Sequence, residues 1–383
     1  MTAPLDGIVV ADFSRVLAGP LATMTLADLG ARVIKVERPE TGDDTRAWGP
    51  PYAESGMTTY FESANRGKES VTLDLTDPAD RDRALELIAR SDVVIENFRP
   101  GLFARLGFDW ENLSAAHPGL ISVSVSGFGL GAGADLPGYD FVAQAVGGLM
   151  HITGEPDGQA MKAGVALVDV LTGKDAVIGI LAALRRRELT GRGSRVEVNL
   201  LSSLQAALVN QVSAHLGAGT EPGRLGNRHP SIAPYESLRC ADAPIAVACG
   251  NDAQFAKMVA ELGRRELAAD ERFRRNPDRV ANREELVVEL EAALIGDTAA
   301  AWAERLNRIG VAAGVVNSVG EGIALAERLG LDPVRDSVGD DGRRSRQIRS
   351  PLTWIPEVPV TVAAPPRLGE HDERVRAWLD EPA

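Results

Sequence analysis

The sequence predicts an α/β protein: a doubly wound, Rossmann-like large domain joined to a smaller α+β domain. Three features carry this reading. Short runs rich in Val and Ile alternate with helix-length segments across residues 1–216, the pattern of a largely parallel sheet with crossover helices. Segments that follow several of these runs are polar and glycine-rich, as at the ligand-binding edge of such a sheet. After Gly217 the alternation stops in a Gly/Pro-rich connector and gives way to a hairpin-like pair and a mostly helical stretch.

The first strand is expected at Ile8–Phe13, followed by a helix opened by Pro20 and ending near Gly30, then a strand at Val33–Glu37. This βαβ unit puts Glu37 where a dinucleotide site carries its ribose-binding acid, but the loop reads SRVLAGP, so the glycine fingerprint for NAD is missing. Residues 40–67 form a long polar loop of the kind that is usually functional. A strand at Ser70–Leu75 precedes a helix started by Thr76-Asp77-Pro78, with a cap and a proline in its first turn. Further strands are expected at Asp92–Phe98, at Leu120–Phe128 before the glycine-rich loop 129–138, and at Arg195–Leu200. Helices are expected at Tyr139–Met150 and Ser202–Leu216. In the second domain a β-hairpin over Tyr235–Cys249 precedes helices over 252–306 and a strand at Val311–Val316. The tail is read as a polar loop at 332–349, a proline-rich run at 351–366 and a closing helix at Glu373–Leu379.

The helix beginning near Asp169 and running to Gly191 is the segment around which the rest is organised. Val170, Leu171, Val177, Ile178, Ile180, Leu181 and Leu184 fall on most of its sides, as in a helix buried within a domain. Arg185, Arg186 and Arg187 suit the negative end of its dipole, and Gly191 the left-handed stop. Asp169 at its head reads in two ways, as an N-cap or as a low-pKa carboxylate nucleophile.

With 383 residues, 44% hydrophobic and 25% charged, the chain has ordinary soluble composition and enough material for two domains. A net charge of −13 opposes nonspecific nucleic-acid binding, so an anionic ligand needs local arginines. No leader-like N-terminus or membrane-length apolar run is present, and a cytoplasmic location is expected. Cys240 and Cys249 lie in the two arms of the hairpin, where they could face each other, and are expected as buried thiols. His117, His151, His215, His229 and His371 show no metal-ligand spacing, and G-x-S-x-G is absent, so neither a metal site nor a serine hydrolase is expected. Arg38, Arg46, Arg66, Lys68, Arg99 and Arg105 lie at or just beyond strand ends and together suit a polyphosphate ligand.

These residues resemble the family III CoA-transferases, which include acyl-CoA racemases. The likeness rests on Leu5–Arg46, on NRGKESVTLDL, DVVIENFRPG and GYDFVAQAVGG, and on the stretch around Asp169, in that order along nearly the whole chain. The resemblance implies an interlocked homodimer and a large domain of 1–216 completed by 335–383. The small domain then covers 231–318, between linkers at 217–230 and 319–334. It implies that Asp169 is the nucleophile, with acyl-CoA and a carboxylic acid as substrates and no permanently bound cofactor. Val16, Arg38, Leu73, Asn97, Phe98, Arg105 and Leu106 are then expected to line the CoA site, and Trp48, Tyr139 and Asp140 to lie on the substrate side. Backbone N–H groups of Gly147, Gly148 or Gly250 are candidate oxyanion donors.

Leu17 and Pro137 stand where the formyl-CoA enzyme carries a glutamine and a lysine, which argues against oxalate and formyl-CoA as substrates. Tyr139 stands where the racemases carry a histidine, which removes one base of a two-base deprotonation. RLGNRHPSIAPYES is most like members that exchange CoA between succinate and other dicarboxylic acids, with Arg228 and His229 placed to take the distal carboxylate. Succinyl-CoA or a related dicarboxylyl-CoA is the expected donor. The alternatives are a racemase or dehydratase-like activity and a non-enzymatic nucleotide-binding module.

Overall fold

A computed structural model of the chain describes residues 2–358, 360 and 362–382. Positions 359 and 361 of the proline-rich run expected at 351–366 lie outside them. The chain divides into two compact units, one of residues 1–149, 162–220 and 332–383, the other of residues 150–161 and 221–331.

The large unit is built on six parallel strands: β1 (Val9–Asp12), β2 (Arg32–Glu37), β3 (Lys68–Thr72), β4 (Val93–Glu96), β5 (Ile121–Ser126) and β6 (Ser194–Asn199). Their order is β3-β2-β1-β4-β5-β6, so the winding direction reverses between β1 and β4. Successive strand residues point to opposite faces, and both faces of the central strands are covered, which is why β1 and β4 read as apolar runs, whereas the edge strand β6 alternates partly buried and exposed residues. Val10, Val33, Ile95 and Val123 join one core with Leu26, Ile180 and Leu184. Ala11, Ile34, Val36 and Val94 join another with Phe13, Leu87, Ile88, Phe103 and Leu379. Each of these Val, Leu, Ile and Phe side chains contributes about 1.5–3 kcal/mol when fully buried.

The central helix runs over Leu167–Thr190 and ends at Gly191, whose φ of 70° and N–H bond to the Arg187 carbonyl make the expected left-handed stop. It packs against the helix Ala18–Asp28 so closely that a Cβ on Gly173 would come within 2.7 Å of the Ala18 carbonyl oxygen. The helix is not buried all round as its composition suggests. Val168, Thr172, Ala176 and Ile180 face inward, whereas Ile178 is 64% exposed and Leu181 is 37% exposed.

Three tail and connector assignments differ from the sequence reading. The polar loop expected at 332–349 is an antiparallel hairpin. The small unit's own three-stranded sheet comes before it in the chain, as β7 (Tyr235–Arg239), β8 (Pro244–Ala248) and β9 (Ala312–Val315). The tail hairpin is β10 (Val334–Val338) and β11 (Arg344–Ile348), hidden in the sequence because its residues are mostly polar on both sides. The expected return linker holds a helix, Val319–Arg328, started by a capping box between Ser318 and Glu321. The segment expected as one helix over 202–216 is two, Leu200–Ala207 and Val209–Ala218, separated where Val209 adopts a φ of 38°.

In the small unit, residues 150–161 are tied to the connector by bonds from the Gly226 N–H to the Gly154 carbonyl and from Arg224 to the His151 carbonyl. Its core gathers Leu238, Ile245, Val247, Phe255, Met258, Leu290 and Trp302. Cys240 and Cys249 are both buried free thiols that do not face each other. The strand register sets Arg239 opposite Pro244 and Tyr235 opposite Ala248, which places the cysteines at opposite ends of the hairpin.

The last described segment closes the edge of the large sheet. Gly67 donates to the Ala363 carbonyl, the Ser70 carbonyl accepts from the His371 N–H while the Ser70 N–H donates to His371 Nδ1, and Asp372 accepts from the Thr72 N–H and hydroxyl.

Candidate active site

A cavity of about 460 Å³ opens in the large unit where the strand order reverses, the position at which open α/β sheets bind ligands. The loops after four strands supply its walls. Arg15, Val16, Leu17 and Ala18 follow β1, Asn97, Phe98, Arg99 and Pro100 follow β4, Gly127 follows β5 and Leu200 follows β6. Asp44, Pro137, Tyr139 and Asp169 complete it. Gly127 and Gly138 cross backbone to backbone here: a Cβ on either would lie within 2.6 Å of the other's Cα, so no larger residue fits.

Asp169 is the third residue of the central helix and does not cap it, contrary to one of the two readings from sequence. The capping carboxylate is Asp140, which is buried and accepts from the Val168 N–H at 2.7 Å and the Asp169 N–H at 3.1 Å. Gln144 holds the other Asp140 oxygen at 2.6 Å and accepts from the Ala163 N–H, binding the approach to the helix in place. Asp169 therefore lines the cavity with a carboxylate that has no hydrogen-bond partner among the described residues. Burial, reinforced by the negative charge of Asp140, pushes it up to about 7 from 3.8, the reverse of the low pKa expected. Tyr60 belongs to the same neighbourhood: its phenol is raised by burial and then by the charges of Asp169 and Asp140. Nothing in the local sequence pattern singled it out.

Beneath the β1 loop lies a second set of buried charges. Asp12 accepts from Lys68 at 3.0 Å, from the Ser14 N–H and hydroxyl and from Thr23, while Asp43 meets Lys35 at 2.9 Å and the Val16 N–H at 3.2 Å. Val16 is held at φ 70°, a left-handed conformation costly for a β-branched residue. Asn97 bonds both backbone groups of Arg15, at 2.8 and 2.7 Å, and fixes the same loop from β4.

Of the residues expected to line the CoA site, the structure brings Val16, Asn97 and Phe98 to the cavity. Arg38 stands beside it through Asp44, at 2.6 Å. Leu73 and Leu106 instead pack in or against the apolar core that contains Phe13 and Leu87, because their side chains point into the sheet face. Arg105 is exposed and does not line this cavity. Among the other basic residues, Arg46, Arg66 and Lys68 are consumed by ion pairs with Glu37, Asp28 and Asp12. Glu37, bound by Arg46, Ser70 and the Asp43 N–H, is equally unavailable to a ribose.

On the substrate side, Tyr139 lines the cavity, whereas Asp140 lies behind it as the helix cap and Trp48 packs edge-on against Tyr60 at 5.2 Å. Arg228 and His229 belong to the small unit, where they line a different cavity of about 370 Å³. Arg228 is already paired with Glu284 and Glu236, and the His229 ring accepts from the Ser231 N–H. Two expected oxyanion donors are engaged as well: Gly147 N–H bonds the Ala143 carbonyl and Gly250 N–H bonds Gln254.

Among the described residues one cluster, Asp340, Glu370 and His371, brings metal-type ligands together. Its donor set does not suit a cation. His371 Nδ1 accepts from the Ser70 N–H, which leaves the proton of the neutral ring on the nitrogen facing Asp340, and Arg343 already neutralises Glu370. No helix among the described residues is long and apolar enough to cross a membrane.

The sequence profile of CoA-transferase family III matches residues 5–372. The chain belongs to CoA-transferase family III. It is similar to a succinate–glutarate CoA-transferase of Agrobacterium fabrum, with 41% identity over 98% of this chain and 96% of that protein. An acetyl-CoA:oxalate CoA-transferase of Acetobacter aceti is 42% identical over 85% of this chain and 83% of its own length. A crystal structure of a CaiB/BaiF family protein from Brucella suis superposes with a TM-score of 0.88 and 42% identity, covering 99% of this chain and all of that one. Members of CoA-transferase family III use CoA thioesters, and the cavity at the strand ends is where this one offers a free carboxylate.

Proposed function

We propose that this protein moves CoA from a dicarboxylyl-CoA, with succinyl-CoA the leading donor, to a carboxylic acid, and that Asp169 is its nucleophile. The observation that carries the reading is the Asp169 carboxyl, free of hydrogen-bond duties in the switch-point cavity because Asp140 takes over the helix N–H groups. In the first step an Asp169 oxygen attacks the donor thioester carbon, the C–S bond breaks and CoA leaves as thiolate, giving a mixed anhydride. The thiolate attacks the Asp169 carbonyl carbon and expels the donor acid, which leaves an aspartyl-CoA thioester. The acceptor carboxylate then repeats both steps in reverse order, and Asp169 is regenerated as carboxylate. A thioester is exchanged for a thioester, so the sequence needs neither metal nor redox partner. The relatives named for glutarate and oxalate support a dicarboxylic acid on at least one side of the exchange. Oxalate, argued against on Leu17 and Pro137, returns as an acceptor worth testing, since both residues line this cavity.

The working form is proposed to be a homodimer. In support, Ile178 on the central helix and Phe141 and Val146 on the helix Asp140–Val146 are all more than half exposed in the single chain. Borohydride trapping tests the chemistry. After incubation with succinyl-CoA, reduction should convert Asp169 to its alcohol in one peptide seen by mass spectrometry, and an unmodified peptide under turnover would refute the nucleophile.

A further inference from the structure

Gln144 is completely buried and lies behind the candidate nucleophile, outside the cavity wall. It stands one helical turn after Asp140 on the helix Asp140–Val146, so the two side chains project from the same face. Ala143, next to it, joins Val168 and Leu204 in one apolar cluster. The chain then leaves the large unit after Leu149 and re-enters it at Lys162, so direct continuation of the backbone does not set where the central helix begins. Gln144 catches the returning segment. Its side-chain oxygen accepts from the Ala163 N–H at 2.8 Å, while its nitrogen donates to Asp140 Oδ2 at 2.6 Å and lies 3.4 Å from the Val165 carbonyl oxygen. The amide stands only this way round, because the Ala163 N–H needs an acceptor and the Asp140 carboxylate a donor. Both ends of one side chain are thus committed, one to the lead-in of the helix and one to the carboxylate that accepts from the Asp169 N–H.

We propose that Gln144 is a positioning residue for CoA transfer, which locks Asp140 and the lead-in 163–165 together and thereby aims the Asp169 carboxyl. The assignment rests on the nucleophile reading of Asp169 and deepens it. In that reading Asp169 works twice in each half-reaction, first through an oxygen that attacks the thioester and then through its own carbonyl carbon. Both attacks start from the same backbone, and a misplacement of about 1 Å costs about a hundredfold in rate. Gln144 touches no reacting atom and lines no part of the cavity, so its loss belongs in turnover and not in CoA binding.

Exchange of labelled succinate into succinyl-CoA by the full-length protein tests this without a known acceptor. Gln144→Leu keeps much of the volume and none of the polar contacts; it should lower kcat about ten- to hundredfold and leave KM for succinyl-CoA within about twofold. Gln144→Glu offers a rescue that depends on pH. Protonated, its carboxyl donates to Asp140 and accepts from Ala163; ionised, it loses that donor and adds a third negative charge beside Asp140 and Asp169. The other titratable groups in the neighbourhood are the Tyr60 phenol and Lys162, whose Nζ lies 3.1 Å from the Ala163 carbonyl oxygen. The kcat of Gln144→Glu, divided by the parental value at the same pH, should be within about threefold of one near pH 5.5 and fall at least about tenfold by about pH 8. A side chain that merely fills space predicts a ratio that stays flat with pH. That flat ratio, a Gln144→Leu kcat within about twofold of parental, or a loss confined to KM would overturn the proposal. Should Gln144→Leu fail to fold, the Gln144→Glu profile decides alone. When the parental protein exchanges succinate and the variants fail these tests, this inference alone falls, whereas a parental protein without exchange removes the succinyl-CoA reading with it.

Discussion

Two sets of carboxylates, one buried and one partly buried, lie at the ligand end of the large sheet, and they are treated in opposite ways. Asp12 and Asp43 each face a buried lysine and several hydrogen-bond donors. Although burial alone would raise them, Lys68 and Lys35 hold both below the usual range, Asp43 at about 2. Among the described residues no cation pairs with Asp169, and its charged neighbour is another carboxylate, so burial and Asp140 drive it up to about 7. The first group is matched and fixes a loop; the second is left unmatched near neutral pH, which suits the nucleophile proposed for Asp169. A carboxylate's surroundings, more than its place at a helix start, separate the structural from the chemical role.

The largest effect should come from removing the unmatched group. Asp169→Asn is expected to lower the CoA-transfer rate by at least about 10³-fold, since an amide cannot form the anhydride. Its stability has a definite pH signature. With a folded pKa of about 7 against 3.8 unfolded, Asp169 retains an extra proton in the folded state between those values. Parental stability therefore falls as pH rises from about 4 to 7, and that slope should vanish in Asp169→Asn, as followed by urea midpoints across pH.

Breaking the matched group should instead damage the fold. Lys68→Met leaves Asp12 in the core without its nearest cation, a change that costs about 3–5 kcal/mol when one partner of a buried pair is removed. Denaturant unfolding of this variant measures it, and a loss under about 1 kcal/mol would mean that the two groups differ less than their geometry says.

The smallest effect sharpens the contrast. The rate of the first half-reaction should rise with pH along a limb centred near 7, as Asp169 loses its proton. Asp140→Asn keeps an oxygen for the Val168 and Asp169 N–H groups but removes the charge and the acceptor for the Gln144 amide, so the limb should move to lower pH and thermal stability should fall modestly. A limb that stays in place would show that burial alone sets the Asp169 pKa.

The parts of this molecule legible in the sequence are those set by local pattern. The central strands β1 and β4 announce themselves as apolar runs because both of their faces are covered, and Asp77 with Pro78 marks a helix start that the structure reproduces. Asp169 is placed within two residues of its helix start by the same means. What stays hidden depends on partners far along the chain. Asp140 caps a helix that begins 27 residues later at Leu167, and Arg66 and Lys68 look like phosphate ligands until Asp28 and Asp12 are brought beside them. Arg228 carries the right chemistry for a distal carboxylate, yet Glu284 and Glu236 have claimed it. Spacing reveals which residue types are near a strand end, and only the folded chain shows which charges remain unspent.

The clasp of residues 363–372 on β3 bears on how the chain is made. All six strands of the large sheet have been synthesised by Asn199, but the edge at β3 gains its partners only when Ala363, His371 and Asp372 emerge from the ribosome. Meanwhile the whole run 221–331, a unit with its own core, is translated and can fold. The large unit thus waits through most of translation with one row of backbone groups open, the condition in which strands recruit wrong neighbours. A nascent chain stalled short of Ala363 is the form most in need of a chaperone.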